Sequence, residues 1–367
     1  MPDAQATTLI PADTLRTLVT AVFAAAGCAP DEAGRIGQYL LSANLAGHDS
    51  HGVIRTPRYV QWLQEGKVLA GRTLSVVNEG PVHATVDGNY GFGQTIGPLA
   101  VDLGIAKARA AGLAVIGLRR SGHLGRIGDW AERAGEAGLV SIHFVNVEGG
   151  ELVAPFGGVE RRFSTNPICI GVPGEAGAPM LLLDMATSLV AEGKVLVASN
   201  GGKPVPAGSL VRPDGQFTND PAALYGPLLP GAPRDPAMGE GALVALGLHK
   251  GSGLAFMCEM LAGVLTGGDT SGPVPGGKRA RISNAMLSIY LNPQTFGGGS
   301  DFQARARAYA NYVKASRPTT PGVEVLVPGE PEARMRAERL ARGVPLQAQT
   351  WAAIRATASA LGVTLAD

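Results

Sequence analysis

The spacing of apolar residues predicts helices near the start of the chain. In the first predicted helix, apolar residues recur at the intervals of one helical face, at Leu15, Leu18, Val19, Val22 and Phe23. Asp13 is a candidate N-cap of this helix, and Gly27 is a candidate stop signal. The same reasoning predicts a second helix at 31–46, ended by Gly47, and a third at about 57–66.

From about residue 74 the pattern changes to short β-rich runs that alternate with helical patterns. The predicted strands are bounded by glycine, proline or asparagine and lie in VHATVDG, LAVIGL, LVSIHFVNV, PICIGVP, PMLLLDMA and NAMLSIYLNP. The helices predicted between them lie at about 97–111, 127–137, 188–199 and 251–266. This alternation predicts an α/β or α+β domain in the middle of the chain.

The C-terminal part returns to helical patterns, at 301–316, 330–343 and 347–362. Helical ends around an α/β middle predict two domains with a cleft between them. We expect residues 1–74 and 300–367 to form a smaller helical domain and residues 75–299 to form the larger one. A chain of 367 residues is long enough for this arrangement.

Composition excludes several classes of partner. Lysine and arginine number 31 against 30 aspartate and glutamate residues, so no net field favours nucleic acid or an anionic membrane surface. The three cysteines have no C-x-x-C spacing, which argues against a disulfide framework or a thiolate zinc site. No secretory leader and no run of about 18 apolar residues is present, so we expect a soluble, cytoplasmic protein.

A glycine-rich stretch, VDGNYGFGQTIG, approaches the G-x-G-x-x-G fingerprint of dinucleotide-binding Rossmann folds through Gly91, Gly93 and Gly97. The spacing from Gly93 to Gly97 is one residue longer than the fingerprint requires. The following strand, LAVIGL, ends in Arg119 and Arg120 rather than in an acid that would hold a ribose. The pattern therefore favours a turn that brings the helix at 97–111 close to its neighbours.

The stretch AGHDSHGVIRTPRY combines histidines, a hydroxyl group and an arginine within ten positions. His48 and His51 lack a third soft ligand nearby, so we expect no metal site. Arg55 offers the planar, two-pronged donor that a carboxylate prefers, and Ser50 and His51 can hydrogen-bond the hydroxyl or carbonyl of the same small molecule. A helix C-cap followed by a polar surface loop is the alternative.

A further histidine, His123, lies in RRSGHLGRIGDWAE between a predicted strand and a predicted helix. Gly122 and Gly125 flank it, which allows a ligand to approach the backbone closely. The ordinary pKa of histidine, about 6.5, suits proton exchange near neutrality. A histidine in a tight turn is the alternative interpretation.

Two stretches have the pattern of anion-binding sites, and a third places an acid at the end of a predicted strand. The predicted helix after His123 would begin at about Arg126, so the amides of Gly125, Arg126 and Ile127 could hold a phosphate. Asp184 lies at the end of the strand predicted in LLLDMATS. The alternative is that it is merely the N-cap of the helix that follows. Lys250 precedes the apolar helix of GLHKGSGLAFMCEMLAG, where a solvated lysine is the alternative.

Eight motifs, taken together, resemble the type 2 malate/L-lactate dehydrogenase family from about residue 9 to 362. In chain order they are HDSHGVIR, NYGFGQ, SGHLGRIG, VAPFGG, STNP, LLLDMATS, LHKGSGLAFMCEMLAG and VLVPGEPE. Within the family, ANLAGHDSHG and GRIGDWAE are most similar to the bacterial hydroxycarboxylate dehydrogenases. The resemblance implies a homodimeric NAD(P)-dependent oxidoreductase of 2-hydroxy and 2-oxo acids. It also implies a nucleotide domain of non-Rossmann type with a large, mostly antiparallel sheet.

The resemblance also implies roles for individual residues. His123 corresponds to the proton acceptor, His51 to a histidine at the nicotinamide and substrate, and Arg55 to the arginine expected to bind the substrate carboxylate. The stretches that correspond to dinucleotide contacts contain His51, Gly125, Arg126, Ile127, Leu183, Asp184, Met185, Ala186, His249, Lys250, Asn284, Pro328, Gly329 and Glu330. We expect NAD as the cofactor, with NADP as the alternative.

Other functions stay open at this point. A ketimine reductase would use the same cofactor to reduce the C=N bond of a cyclic imino acid. A cofactor-free isomerase or lyase could use His51 and His123, and a regulatory protein could bind the nucleotide without turnover. Two departures from the family pattern, Glu148 in VNVEGGELV and the loop at 231–244, leave nucleotide preference and substrate range open.

Overall fold

The computed structural model describes residues 7–175, 179–199, 204–227, 235–273, 281 and 283–364. Its strands are β1 (Thr7–Ile10), β2 (Ser75–Glu79), β3 (His83–Asp87), β4 (Leu113–Ser121), β5 (Val140–Glu148), β6 (Ile168–Val172), β7 (Leu181–Met185), β8 (Leu210–Val211), β9 (Phe217–Thr218), β10 (Ala242–Leu243), β11 (Ser283–Leu291) and β12 (Val344–Gln347). Its α-helices are α1 (Ala12–Ala25), α2 (Pro30–Leu45), α3 (Thr56–Gln64), α4 (Gly93–Ala111), α5 (Gly128–Glu136), α6 (Glu192–Ser199), α7 (Ala222–Tyr225), α8 (His249–Cys258), α9 (Phe302–Lys314), α10 (Glu330–Arg342) and α11 (Ala348–Ala360).

The main sheet has seven strands in the order β2-β3-β4-β11-β5-β6-β7. All neighbouring strands are antiparallel except β3 and β4, which are parallel. This topology confirms the expectation of an α/β (α+β) fold with a large, mostly antiparallel sheet. It differs from a Rossmann fold, whose sheet is mostly parallel.

Helices α4 and α5 pack on this sheet through a buried cluster that includes Ile96, Trp130 and Tyr290. The glycines of VDGNYGFGQTIG, the stretch that only approaches the dinucleotide fingerprint, make this packing possible. A Cβ on Gly97 would lie 2.6 Å from the Trp130 ring, and one on Gly93 would lie 2.2 Å from the carbonyl oxygen of His123. The interpretation of this stretch as a close-packing turn is therefore confirmed.

A second core draws on both ends of the chain, with Phe23, Leu40, Val344 and Ile354 among its fully buried residues. Strands β1 and β12 pair antiparallel at its edge, from Thr7 opposite Gln347 to Ile10 opposite Val344. Neither strand was predicted, because each has only four residues and β1 is mostly exposed.

A third core lies under the small sheet β10-β8-β9 and contains Val195 of α6 and Ala255 of α8. Both helices take part in this core, and α6 also contacts the short turn at Asp49–His51 described below. Within the described parts of the chain, no helix combines the length and apolar character needed to cross a bilayer.

Several predicted element boundaries were wrong. Pro11, not Asp13, is the N-cap of α1, and Asp13 instead pairs within the first turn with Arg16 at 2.9 Å. Helix α4 begins four residues early because the glycine-rich turn is itself helical. Helix α6 begins four residues late because Ser188 bridges to Ala245. Helix α8 continues as a π-helix over Glu259–Val264.

Candidate active site

The segment HDSHGVIR forms two short 3₁₀ turns, Asp49–His51 and Val53–Arg55, between α2 and α3. Asn44 organises them, because its side-chain oxygen accepts a hydrogen bond from the amide of Val53 at 2.8 Å. A Cβ on Gly52 would lie 2.2 Å from that oxygen, so glycine is required at this position. We call residues 48–55 the histidine turn.

Helix α10, in the C-terminal part of the chain, contacts the histidine turn through two side-chain pairs. Arg339 donates to Asp49 at 2.5 and 3.0 Å and also to the carbonyl oxygen of Asn44. His48 lies 3.7 Å from the carboxylate of Glu332 on the same helix. Asp49 and His48 therefore fix the turn. In the part of the chain that the structure describes, no three metal-ligating side chains cluster here or elsewhere.

His51 and His123 face each other across the site. Their rings are nearly parallel, with centroids 5.3 Å apart and an interplanar angle of 19°. His123 lies just after β4, against the start of α4, and its Nδ1 is 2.5 Å from the hydroxyl oxygen of Tyr59. Because Tyr59 occupies Nδ1, Nε2 is the ring nitrogen left for a ligand.

Burial makes both imidazoles weak bases. Burial and the charge of Arg55 lower the pKa of His123 to about 3. Burial, His123 and Arg55 hold the pKa of His51 well below its ordinary value. Both rings are therefore neutral at pH 7 when no ligand is bound. The charge of Arg55 acts on both rings, so the guanidinium belongs to the same site.

Arg55 is anchored by its own turn. Its Nε donates to the carbonyl oxygen of Ser50 at 2.6 Å, and its Nη2 lies 3.8 Å from the carboxylate of Glu192. Ser50 itself faces α6, where a Cβ on Gly193 would lie 2.3 Å from the Cβ of Ser50. The structure thus brings together the four residues predicted for catalysis and substrate binding: Ser50, His51, Arg55 and His123.

The stretch predicted to hold phosphate is already neutralised by protein groups. Helix α5 begins at Gly128, two residues after the predicted start, and the amide of Gly128 donates to Asp184 at 2.7 Å. The buried guanidinium of Arg126 lies 3.0 Å from Asp129 and 2.9 Å from Glu132. This helix end therefore has its own anionic partner. Contact of Gly125, Arg126 or Ile127 with a cofactor stays a prediction.

The other residues predicted to contact a dinucleotide lie along the edge strand β7 or beside the His123 loop. Asn284 accepts from the amide of Leu124 at 2.8 Å and so ties that loop to β11. On β7, the amide of Leu182 donates to the carbonyl of Pro328, and Gly329 lies against the backbone of Met180. Along β7 and directly after it, Leu183 is exposed and Asp184, Met185 and Ala186 are partly exposed.

Helix α8 begins beside the same edge, where the amide of Leu246 donates to the carbonyl of Thr187 at 2.8 Å. His249 and Lys250 are exposed in its first turn. A cavity of about 180 Å³ lies on the other side of β7, under α9, and Pro328 and Glu330 are among its lining residues. The predicted contacts are therefore divided among β7, β11, the start of α8 and the lining of this cavity, and their contact with a cofactor stays a prediction.

Sequence reasoning missed Tyr59, Gln94 and Glu192. Tyr59 stands inside AGHDSHGVIRTPRY, yet its partner His123 is 64 positions away along the chain. Gln94 donates at 3.4 Å to both the Tyr59 hydroxyl and the His123 carbonyl. No local pattern signals such contacts. Glu148, singled out as a departure from the family pattern, is buried at the end of β5, where Ser283 and the amide of Asp269 donate to it.

Comparisons with known proteins agree with this architecture. The family model described as malate/L-lactate dehydrogenase matches residues 10–355, and the chain belongs to this family. It is 41% identical to hydroxycarboxylate dehydrogenase B of Escherichia coli K12 over 96% of this chain and 94% of the relative. A solved structure described as a putative malate/lactate dehydrogenase from E. coli superposes with a TM-score of 0.88 and 40% identity, covering 97% and 96% of the two chains.

A relative with a different named activity is also similar. The Δ1-pyrroline-2-carboxylate/Δ1-piperideine-2-carboxylate reductase of Pseudomonas putida is 34% identical over 95% of this chain and 96% of the relative. Proteins similar to this chain are therefore named both for hydroxy-acid dehydrogenation and for reduction of cyclic imino acids.

Proposed function

We propose that the protein is an NAD(P)-dependent 2-hydroxycarboxylate dehydrogenase that interconverts a 2-hydroxy acid and a 2-oxo acid. The observation that carries the proposal is the convergence of Arg55, a carboxylate-binding group, with the paired imidazoles of His51 and His123. Its membership of the malate/L-lactate dehydrogenase family supports the same reaction.

Two features support a nicotinamide dinucleotide as the cofactor. The Nδ1 of His51 is buried and has no hydrogen-bond partner within the described structure, so it is available to a ligand. Lys250, in the first turn of the ten-residue helix α8, is placed to meet a phosphate. We propose NAD, with NADP as the alternative. When bound, the cofactor would donate or accept the hydride at the carbon that carries the oxygen.

His123 handles the proton. Being neutral, its Nε2 can accept the hydroxyl proton when a 2-hydroxy acid is oxidised, and the resulting imidazolium can return it in the reverse direction. Burial is the larger cause of the low pKa of His123, and the charge of Arg55 is the second. A substrate carboxylate bound to Arg55 would offset that second cause and so raise the pKa of His123. Arg55 orients the substrate through paired hydrogen bonds.

The first test is a panel of 2-oxo acids mixed with the protein and either NADH or NADPH, followed by the absorbance of the reduced nicotinamide. We expect oxidation of the cofactor by at least one acid. In His123→Ala the turnover should fall by about 10² to 10⁴ with nucleotide affinity nearly unchanged, because only the proton transfer is removed. Near-normal turnover of the variant would exclude this role for His123.

A ketimine reductase is the second candidate, and the P. putida relative favours it. The same arginine could bind the carboxylate of a cyclic imino acid, and His123 could protonate its nitrogen. Including such an imine in the panel separates the two candidates by their relative kcat/KM. Turnover of a substrate without any dinucleotide would instead support a cofactor-free isomerase or lyase.

We also propose that the enzyme is a homodimer. An apolar face on α8 and the π-helix that follows remains exposed at Phe256, Met257, Val264 and Leu265, each at least 46% exposed. Exposed apolar patches of this kind are typical of subunit interfaces. We propose a cytoplasmic location as well, since Cys28, Cys169 and Cys258 are buried free thiols.

A further inference from the structure

Helix α6 places a carboxylate beside the substrate arginine. Glu192 is the first residue of α6, and the next residue, Gly193, lies directly against Ser50 of the histidine turn. Because a Cβ on Gly193 would lie 2.3 Å from the Cβ of Ser50, this helix end is seated tightly on the turn. The position of Glu192 is therefore coupled to the position of Arg55.

The contacts of Glu192 keep it close to Arg55 without a direct hydrogen bond. Its Oε2 lies 3.8 Å from Nη2 of Arg55, and its Oε1 accepts a hydrogen bond from the hydroxyl of Tyr225. The side chains of Glu192 and Arg55 are 19% and 29% exposed. Arg55 and Glu192 thus form a loose ion pair through Nη2, and both partly exposed side chains border the same space.

The charges of Arg55 and Glu192 cancel, so this space offers no net positive charge to a second substrate carboxylate. Arg55 contributes one positive charge and Glu192 one negative charge, while burial keeps His51 and His123 neutral. The carboxylate that every 2-oxo acid carries can pair with Arg55. A second carboxylate on the substrate side chain would be repelled by Glu192 in a partly buried setting, where Coulomb interactions are stronger than in water.

We propose that Glu192 is a specificity-determining residue that makes the enzyme prefer 2-oxo acids with a single carboxylate over dicarboxylic ones. The proposal rests on the proposed function, in which Arg55 binds the substrate carboxylate. It goes further by naming the class of substrate that the site rejects and the residue that rejects it.

The test compares two acids of nearly the same shape that differ by one charge, oxaloacetate and 4-methyl-2-oxopentanoate. The wild-type enzyme should have the higher kcat/KM for the second acid. Glu192→Gln keeps the size of the side chain and an acceptor for Tyr225, so it should shift the ratio toward oxaloacetate by about tenfold at low salt. The shift should shrink as ionic strength rises.

Two variants serve as controls. Glu192→Asp retains the negative charge and should keep the preference for the monocarboxylic acid. Glu160→Gln removes a carboxylate from an exposed pair with Arg162 and should leave the ratio unchanged. Circular dichroism of each variant verifies that it is folded.

An unchanged substrate ratio in folded Glu192→Gln, or a wild-type preference for oxaloacetate, would overturn this inference while leaving the dehydrogenase assignment intact. Failure of the wild-type enzyme to reduce any 2-oxo acid would instead overturn the proposed function, and this inference with it. The two failures are therefore distinguishable.

Discussion

The partner of His123 is a neutral phenol rather than a carboxylate. Burial raises the pKa of Tyr59 to about 12, so its hydroxyl stays protonated. A hydroxyl can donate to Nδ1 of a neutral imidazole and accept from Nδ1 of an imidazolium, so it serves both directions of the reaction. A carboxylate in its place would favour the imidazolium permanently. We therefore expect Tyr59 to act as a positioning residue for His123 in the proposed reaction.

The variant Tyr59→Phe tests this role. Phenylalanine keeps the packing against Phe23, Phe92 and Trp62, but the hydrogen bond to His123 is lost. Because a hydrogen bond contributes about 1 kcal/mol, kcat should fall by roughly five- to tenfold. Losing an acceptor for the imidazolium lowers the pKa of His123 in the complex. The limb of the kcat–pH profile that reports this group should therefore move to lower pH.

A structural effect alone would reduce stability without moving that limb, so an unmoved limb counts against the assignment. Tyr39→Phe provides the matched control. Tyr39 lies on α2 and packs against Trp130 at a centroid distance of 4.9 Å, outside the histidine pair. Its pH profile should match that of the wild-type enzyme.

At the level of elements, the site depends on how closely the start of α4 approaches the His123 loop. The Cβ position of Gly93 is 2.2 Å from the carbonyl oxygen of His123 and 2.8 Å from the Cα of Leu124. Both neighbours are backbone atoms, which cannot rotate away as a side chain can. Even one methyl group at this position must move the loop that carries the imidazole of His123.

We therefore expect Gly93→Ala to lower kcat by more than tenfold and to destabilise the fold by about 1–3 kcal/mol, the range typical of overpacking. Urea unfolding and steady-state kinetics measure the two effects. Gly34→Ala in α2 is the control, because no heavy atom lies within 4 Å of its Cβ position and alanine favours a helix. Unchanged kinetics in Gly93→Ala would show that the loop tolerates the shift.

The sequence predicts elements and site residues to different degrees. Long helices with a clear apolar face, such as α1 and α2, are predicted within a few residues, because the periodicity that stabilises them is local. His51, Arg55 and His123 could be found from their residue types and glycine-rich surroundings. Glu192 could not, because its partner Arg55 is 137 positions distant and α6 itself has little amphipathic pattern.

For the whole molecule, the apolar face of α8 predicts the assembly state. Phe256 and Leu265 are 52% and 65% exposed in the single chain, and burying them against a second copy would remove apolar surface from water. Sedimentation velocity of the wild-type protein should give the mass of a dimer. The double variant Phe256→Lys/Leu265→Lys should sediment as a monomer, because burying two lysines without partners is unfavourable.

Leu340→Lys, on α10, is the control for this experiment, since that side chain is 59% exposed on another helix. It should leave the dimer intact. A wild-type protein that sediments as a monomer at micromolar concentration, or a double variant that remains a dimer, would contradict the assignment of this face.

Strand β1 pairs with β12, and Asp49 contacts Arg339. Each of these contacts joins residues that are translated early to residues that are translated late. The strands of the main sheet are all made before residue 292, so that sheet can form while the C-terminal residues are still being translated. The histidine turn emerges early, whereas its partner Arg339 is translated 290 residues after Asp49. We therefore expect a chain truncated before residue 339 to form its main sheet but to leave the histidine turn without this contact, so that ribosome-bound chains gain activity late.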